Sequence, residues 1–142
     1  MLHDAADQFS DPSPSALRAA YTDSLQSAID AVGIGTVADE TDLETDRLDA
    51  VLADGAADLT VEEAAAVLAV DPDEPDADAI VFELRDHLLM GMTTAVLDVD
   101  TIAANIDADL TGQEVQQAIE GRTEMTLAQL AAIQSAIESW EA

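Results

Sequence analysis

The chain contains no cysteine and no lysine, only two histidines and four aromatic side chains. Without cysteine there is no disulfide framework, no thiolate nucleophile and no zinc finger. With so few aromatic residues a core must be assembled from many small aliphatic groups packed closely between helices, a composition that favours helix over sheet. Of the two imidazoles, His3 falls in the N-terminal stretch and His87 in an apolar helical segment, where it reads as a helix residue rather than a ligand or base. No glycine-rich phosphate loop and no nucleophile elbow occurs, so the sequence gives no positive sign of an enzyme, a metal or a cofactor.

What is abundant is carboxylate. There are 31 acidic residues against four arginines, and the formal net charge is −27. At ordinary salt such a chain repels itself, but in molar salt the screening length falls to about 3 Å and a dense carboxylate surface keeps a protein hydrated. We therefore expect a salt-adapted protein from the cytosol of a halophile. His3, Asp4 and Asp7 stand where a secretory signal places basic and then apolar residues, which favours a cytoplasmic chain over an exported one. An apolar content of 49% with regular periodicity argues against an acidic disordered tail. At 142 residues the chain can form one domain, or two small units sharing one core.

The first 14 residues read as a loose leader ending at a helix start, with Ser13 as cap and Pro14 in the first helical position. Over residues 15–32, Leu17, Tyr21, Leu25, Ala28, Ile29 and Val32 recur at three- and four-residue steps and predict one amphipathic helix. Gly33 and Gly35 break it. A short segment over 36–41 and a second short helix over 46–52 follow, with Gly55 suited to the left-handed position beyond that helix. Thr60 and Glu63 then form a capping box for a helix through Val61, Ala64, Val67 and Leu68.

The first unit thus spans residues 15–70, and residues 71–77, acidic and with two prolines, form a linker. Asp71 and Asp73 begin like a calcium loop, but Asp76 stands where glycine is needed and Phe82 where a bidentate glutamate is needed, which excludes that site.

Beyond the linker, over residues 78–142, the same order of elements returns. Leu17 and Arg18 match Leu84 and Arg85, and Thr36, Val37 and Ala38 match Thr101, Ile102 and Ala103. Leu48, Val51 and Leu52 match Val115, Ala118 and Ile119, while Gly55 matches Gly121. Leu59, Thr60 and Val61 match Met125, Thr126 and Leu127, and the box of Thr60 with Glu63 returns as Thr126 with Gln129. The expected architecture is all-α, with two tandem four-helix units, the products of an internal duplication, packed as one helical domain.

Within each unit an apolar residue followed by alanine, a tight turn and two apolar positions in a second helix give the spacing of a helix-turn-helix. In the first unit these are Val37, Ala38, Thr41, Leu43, Leu48 and Val51. Each unit resembles the Cro and phage-repressor type of helix-turn-helix domain. It departs from that type in having Asp42 at the turn glycine and two extra residues around Ala108 and Asp109 in the second unit. Taken whole, the chain is similar to a haloarchaeal family of unknown function.

The resemblance implies that the second short helix of each unit would face a DNA groove. In unit 1 that face carries Glu44, Asp46 and Asp49, which phosphates repel and Arg47 alone does not offset. Unit 2 instead offers Gln113, Gln116 and Gln117, with Arg122 just beyond, and glutamine can read adenine through paired hydrogen bonds. These four are the candidate DNA or partner contacts.

The helix expected over 78–97 carries too many apolar residues for one stripe. Glu83, Arg85, Asp86 and His87 exclude a membrane span. It is either buried on several sides or part of a self-association surface using Leu88, Leu89, Met90 and Met92, with Gly91 allowing close helix approach.

The sequence therefore points to a non-catalytic protein-interaction or dimerisation module on a duplicated helix-turn-helix scaffold, its partner a second protein or itself. The alternative is a transcription regulator reading DNA through unit 2. Salt adaptation carries a direct test. Between about 0.2 M and about 2 M KCl the thermal midpoint is expected to rise by about 10 °C, the equivalent of a few kcal/mol for a chain of this size. A midpoint unmoved by salt in thermal melts would refute it.

Overall fold

The computed structural model describes Leu2, residues 12–56 and residues 58–140, and of Asp54 the backbone alone. Residues 3–11 of the expected leader, His3, Asp4 and Asp7 among them, lie outside the described residues, while Leu2 is buried in the core. Among the described residues eight helices follow in order, and the only extended pairing is an isolated bridge between Thr60 and Thr126.

Helix α1, Pro14–Val32, starts where Ser13 accepts a hydrogen bond from the Ala16 amide at 3.1 Å, with Pro14 in its first turn. It buries Leu17, Tyr21, Leu25 and Ile29 of the expected stripe together with Ala20, leaves Ala28 and Val32 half-buried, and stops at Gly33. Gly33 alone makes the break, since α2, Ile34–Thr41, begins at the next residue and takes Gly35 into its first turn. There the amides lack helical partners in any case, and a missing side chain disturbs nothing. Asp42 then adopts a left-handed conformation at φ 60°, a place where an acidic residue can stand in for glycine. The Thr41 hydroxyl secures the turn by donating to the Val37 carbonyl at 2.6 Å and accepting from the Leu43 amide at 3.3 Å.

Helix α3, Thr45–Asp54, ends at Gly55, and α4, Val61–Leu68, opens with the complete capping box of Thr60 and Glu63. Helix α5, Ala77–Ala95, is capped by Asp76, and α6, Val99–Asn105, by Asp98. Capping boxes also open α7, Gly112–Glu120, from Thr111 and Glu114, and α8, Leu127–Glu138, from Thr126 and Gln129. The helix lengths run 19, 8, 10 and 8 residues through α4, then 19, 7, 9 and 12.

One core serves all eight helices, drawn from Leu17, Leu25, Leu48 and Leu68 in the first half and Leu84, Leu88, Val115 and Leu130 in the second, among others. Its organising contacts come in exchanged pairs. Helix α1 packs on α8 and on α4, while α5 packs on α4 and on α8. Between them the Val61 amide donates to the Met125 carbonyl and the Leu127 amide to the Leu59 carbonyl, each at 2.8 Å. Exchange of the two halves converts one of these bonds into the other.

The close approach of α5 to α8 depends on Gly91, where a Cβ would stand 2.6 Å from Ile137 Cγ2. Helix α5 ends less comfortably. Val96 is left-handed at φ 56°, a conformation costly for a β-branched residue, and its side chain is 87% exposed, so no burial offsets the strain. Val96→Gly is expected to stabilise the fold by about 1 kcal/mol, or about 3 °C in thermal midpoint. A midpoint that stays put or falls would show that no strain resides there.

Candidate interaction surface

On α5 the residues Ile80, Val81, Leu84 and Leu88 turn into the core. Helical periodicity then sends Phe82, Asp86, Leu89 and Thr93 down the opposite side as one strip, with Met90 beside it. Phe82 is 71% exposed, Met90 62% and Leu89 48%. The four residues proposed for self-association therefore do not share one surface. Leu88 lies wholly in the core, Met92 is half-buried against it, and Leu89 and Met90 face outward. Phe82 was missed as a surface candidate, although its seven-residue separation from Leu89 is a signal that both share a helix face. Around the far end of α5, Met90, Gly91 and Thr94 join Ile137 and Trp140 of the α8 end in lining a shallow cleft.

The second candidate surface is on α7. Gln113, Gln116 and Arg122 are exposed, and Gln117 is half-buried. The Gln116 amide donates to Glu120 Oε1 at 3.1 Å, and Arg122 Nε lies 3.2 Å from Glu120 Oε2. One carboxylate thus engages both a candidate base-reading amide and the candidate cation. The chain leaves α7 through Gly121, left-handed at φ 77°, with the Arg122 amide donating to the Gln117 carbonyl at 2.8 Å.

The other cations are likewise spent on the scaffold. Arg47 pairs with Glu63, its Nη2 at 2.8 Å from Oε1, and the same carboxylate accepts the Thr60 amide at 3.0 Å, so the ion pair braces the α4 cap. Arg85 reaches Glu62 at 3.2 Å across the two halves, and its guanidinium lies against Gly121 where a side chain would stand. Arg18 donates to Ser15 at 3.3 Å. His87 Nε2 meets Glu138 Oε1 at 2.6 Å, joining α5 to α8. The Thr101 amide holds the Asp98 carboxyl below its ordinary range, an effect of helix capping.

An open groove of about 1000 Å³ runs between the start of α1 at Pro14 and Arg18, the loop at Asn105 to Ala108, and Ala132, Ala136 and Trp140 of the C-terminal end. Among the described residues no group of three or more histidines and acids is placed to hold a metal ion, and no helix is long and apolar enough to cross a membrane.

The one buried polar side chain of the described core is Gln134, whose carbonyl oxygen accepts a hydrogen bond from the Tyr21 hydroxyl. This contact joins α1 to α8. Counted from the matched pairs Leu17 with Leu84 and Thr60 with Thr126, the corresponding places in the other half are Leu88 and Leu68, both buried. Burial pushes the Tyr21 phenol far above its ordinary value, with the charge of Glu138 adding to the rise.

The arginines and His87 thus brace the chain's own helices, and among the described residues the outward surface carries carboxylate, a short amide face and an apolar strip; the class they define is an all-α protein. It belongs to a family of unknown function (DUF5791), matched over residues 17–140. No curated protein and no solved structure matches the chain.

Tyr21 is the only tyrosine in the chain, which makes its ionisation directly observable. Because its folded pKa is raised, the associated stability is present below the unfolded value of about 10 and is lost as pH rises beyond it. The folded protein is expected to show no phenolate absorbance near about 295 nm until it unfolds. Tyr21→Phe should destabilise by about 1 kcal/mol at neutral pH and weaken the alkaline fall in stability. A phenolate that titrates near about pH 10 in the folded chain would contradict the burial.

Proposed function

We propose that the chain is a non-catalytic protein-interaction module built on a duplicated helix-turn-helix scaffold, working in the cytosol of a salt-adapted cell. The observation that carries this is the α5 strip: Phe82, Leu89 and Met90 lie exposed on a molecule whose surface is otherwise dominated by carboxylate. The duplication is supported by the repeated helix order, the paired capping boxes of Thr60 and Thr126 and the contacts that exchange between halves. The left-handed turn at Asp42 between α2 and α3 supports the helix-turn-helix likeness in unit 1. The net charge of −27 supports a salt-rich setting.

A second reading, a transcription regulator that inserts α7 into DNA, is favoured by the exposure of Gln113 and Gln116. Glu114 and Glu120 on the same short helix weigh against it, because both would approach phosphates. The α5 strip has no comparable opposing feature, and it is the reading we adopt.

One experiment separates the possibilities. A photoreactive amino acid is placed at position 82, at position 113 or, as a control, at position 23 on α1, and the cells of the natural host are irradiated. The interaction module predicts protein adducts from position 82 alone, abolished by Leu89→Glu. DNA adducts from position 113 would establish the regulator, adducts of doubled chain mass from 82 would make the module a dimer, and no adduct from 82 would remove the basis for the module.

A further inference from the structure

The exposed apolar residues of α5 are not demanded by the fold. Counted from Leu17 and Leu84, the places of Phe82, Leu89 and Met90 are held on α1 by Ser15, Thr22 and Asp23. There the Thr22 hydroxyl accepts the Ala56 amide at 3.2 Å, so the same helix position works with a polar side chain. Phe82 and Leu89 are two turns apart, about 10 Å along the axis, which matches residues i and i+7 of a helix laid alongside.

The charges around the strip determine what can cover it. Asp86 stands within it, one turn beyond Phe82, and Asp78 and Glu83 are exposed along its edges. Were a second copy to pair its α5 antiparallel across a two-fold axis centred here, residues of the same flank would face one another. Asp86 would then meet its own counterpart, and Arg85 would meet its own on the other flank. A stable dimer also covers about 800 Å² of each chain, and beyond three apolar side chains this surface offers further carboxylates to oppose themselves. Four arginines against 31 acids leave a second copy little positive charge to bring.

We propose that the α5 strip is the docking site for a cationic amphipathic helix of a partner protein. Its apolar face rests on Phe82, Leu89 and Met90, and its flanking Lys or Arg residues face Asp78, Glu83 and Asp86. The apolar contact supplies adhesion at high salt, where the screened carboxylates act only at contact distance and select for basic flanks. The inference rests on the interaction-module reading above and specifies its partner.

The test uses the full chain and three synthetic helical peptides of about 18 residues, enough for the two-turn spacing of the strip with flanks. The first has leucines on one face and lysine flanks, the second the same leucines with glutamate flanks, and the third lysine flanks with alanines in place of the leucines. Binding is followed by fluorescence anisotropy in about 1 M KCl, where general attraction to the acidic chain is screened. The lysine–leucine peptide is expected to bind at least about tenfold more tightly than either other peptide. The variant carrying Phe82→Ser and Leu89→Ser should lose at least about tenfold, and Asp86→Lys should reverse the preference between lysine and glutamate flanks, whereas Asp23→Lys on α1 should not. All substituted side chains are exposed, and unchanged circular dichroism confirms that the variants fold.

Equal binding of the lysine and glutamate peptides, or undiminished binding by the double-serine variant, would overturn the proposal. So would a doubled mass in sedimentation that the double-serine variant abolishes, since the strip would then be covered by a second copy. An adduct from position 82 with a protein segment lacking basic residues would leave the interaction module standing and refute the cationic partner alone.

Discussion

The crossing of Leu59 to Val61 with Met125 to Leu127 fixes the rest of the structure. Two backbone hydrogen bonds join these segments where Leu59, Val61, Met125 and Leu127 are all buried, so each amide and carbonyl satisfied there avoids a desolvation penalty. The residue at the centre of each segment, Thr60 or Thr126, is also the cap of the next helix. The crossing therefore sets the starting points of α4 and α8 together. Once these are placed, α1 and α5 each have a groove between the same two helices, and the shorter pairs α2 with α3 and α6 with α7 are carried to the periphery. The glycine contact between Gly91 and Ile137 shows how closely the helices then approach.

Much of this is legible from local chemistry. The sites of Ser13, Thr60 and Thr126 mark helix starts because each side chain can accept from an amide three residues on, a bond that requires no knowledge of the fold. The buried stripe of α1 is likewise a matter of spacing. The break after α1 shows the limit. Gly33 and Gly35 are equivalent as symbols, yet only Gly33 takes the unusual backbone angle and Gly35 continues the next helix. The capping box of Thr111 and Glu114 at the α7 start is of the same local kind, a threonine followed three residues later by a glutamate.

The candidate surfaces were harder to read. Eight apolar side chains larger than alanine crowd α5, and periodicity alone does not say which side faces the core when both sides are apolar. The answer depends on where α4 and α8 lie, which is information held elsewhere in the chain. It places Leu88 at full burial and Phe82 in solvent. The amides of α7 were located correctly on a helix, but the way Glu120 holds Gln116 and Arg122 at once is a matter of side-chain reach that spacing does not display.

The Tyr21 and Gln134 contact has a consequence for how the chain assembles. Two halves with the same helix order and matching capping boxes at Thr60 and Thr126 present two similar grooves to two similar long helices, a setting in which α1 and α5 could exchange seats or pair with another molecule during synthesis. The seats are not equivalent inside: one ends in an amide that Tyr21 satisfies, while the matching place in the other is Leu68 beside no such need. If α5 took the α1 seat, Leu88 would face Gln134 with no hydroxyl to offer, and if α1 took the other, the Tyr21 hydroxyl would be buried against leucine. The Tyr21 and Gln134 hydrogen bond thus makes one of two similar seats chemically distinct from the other.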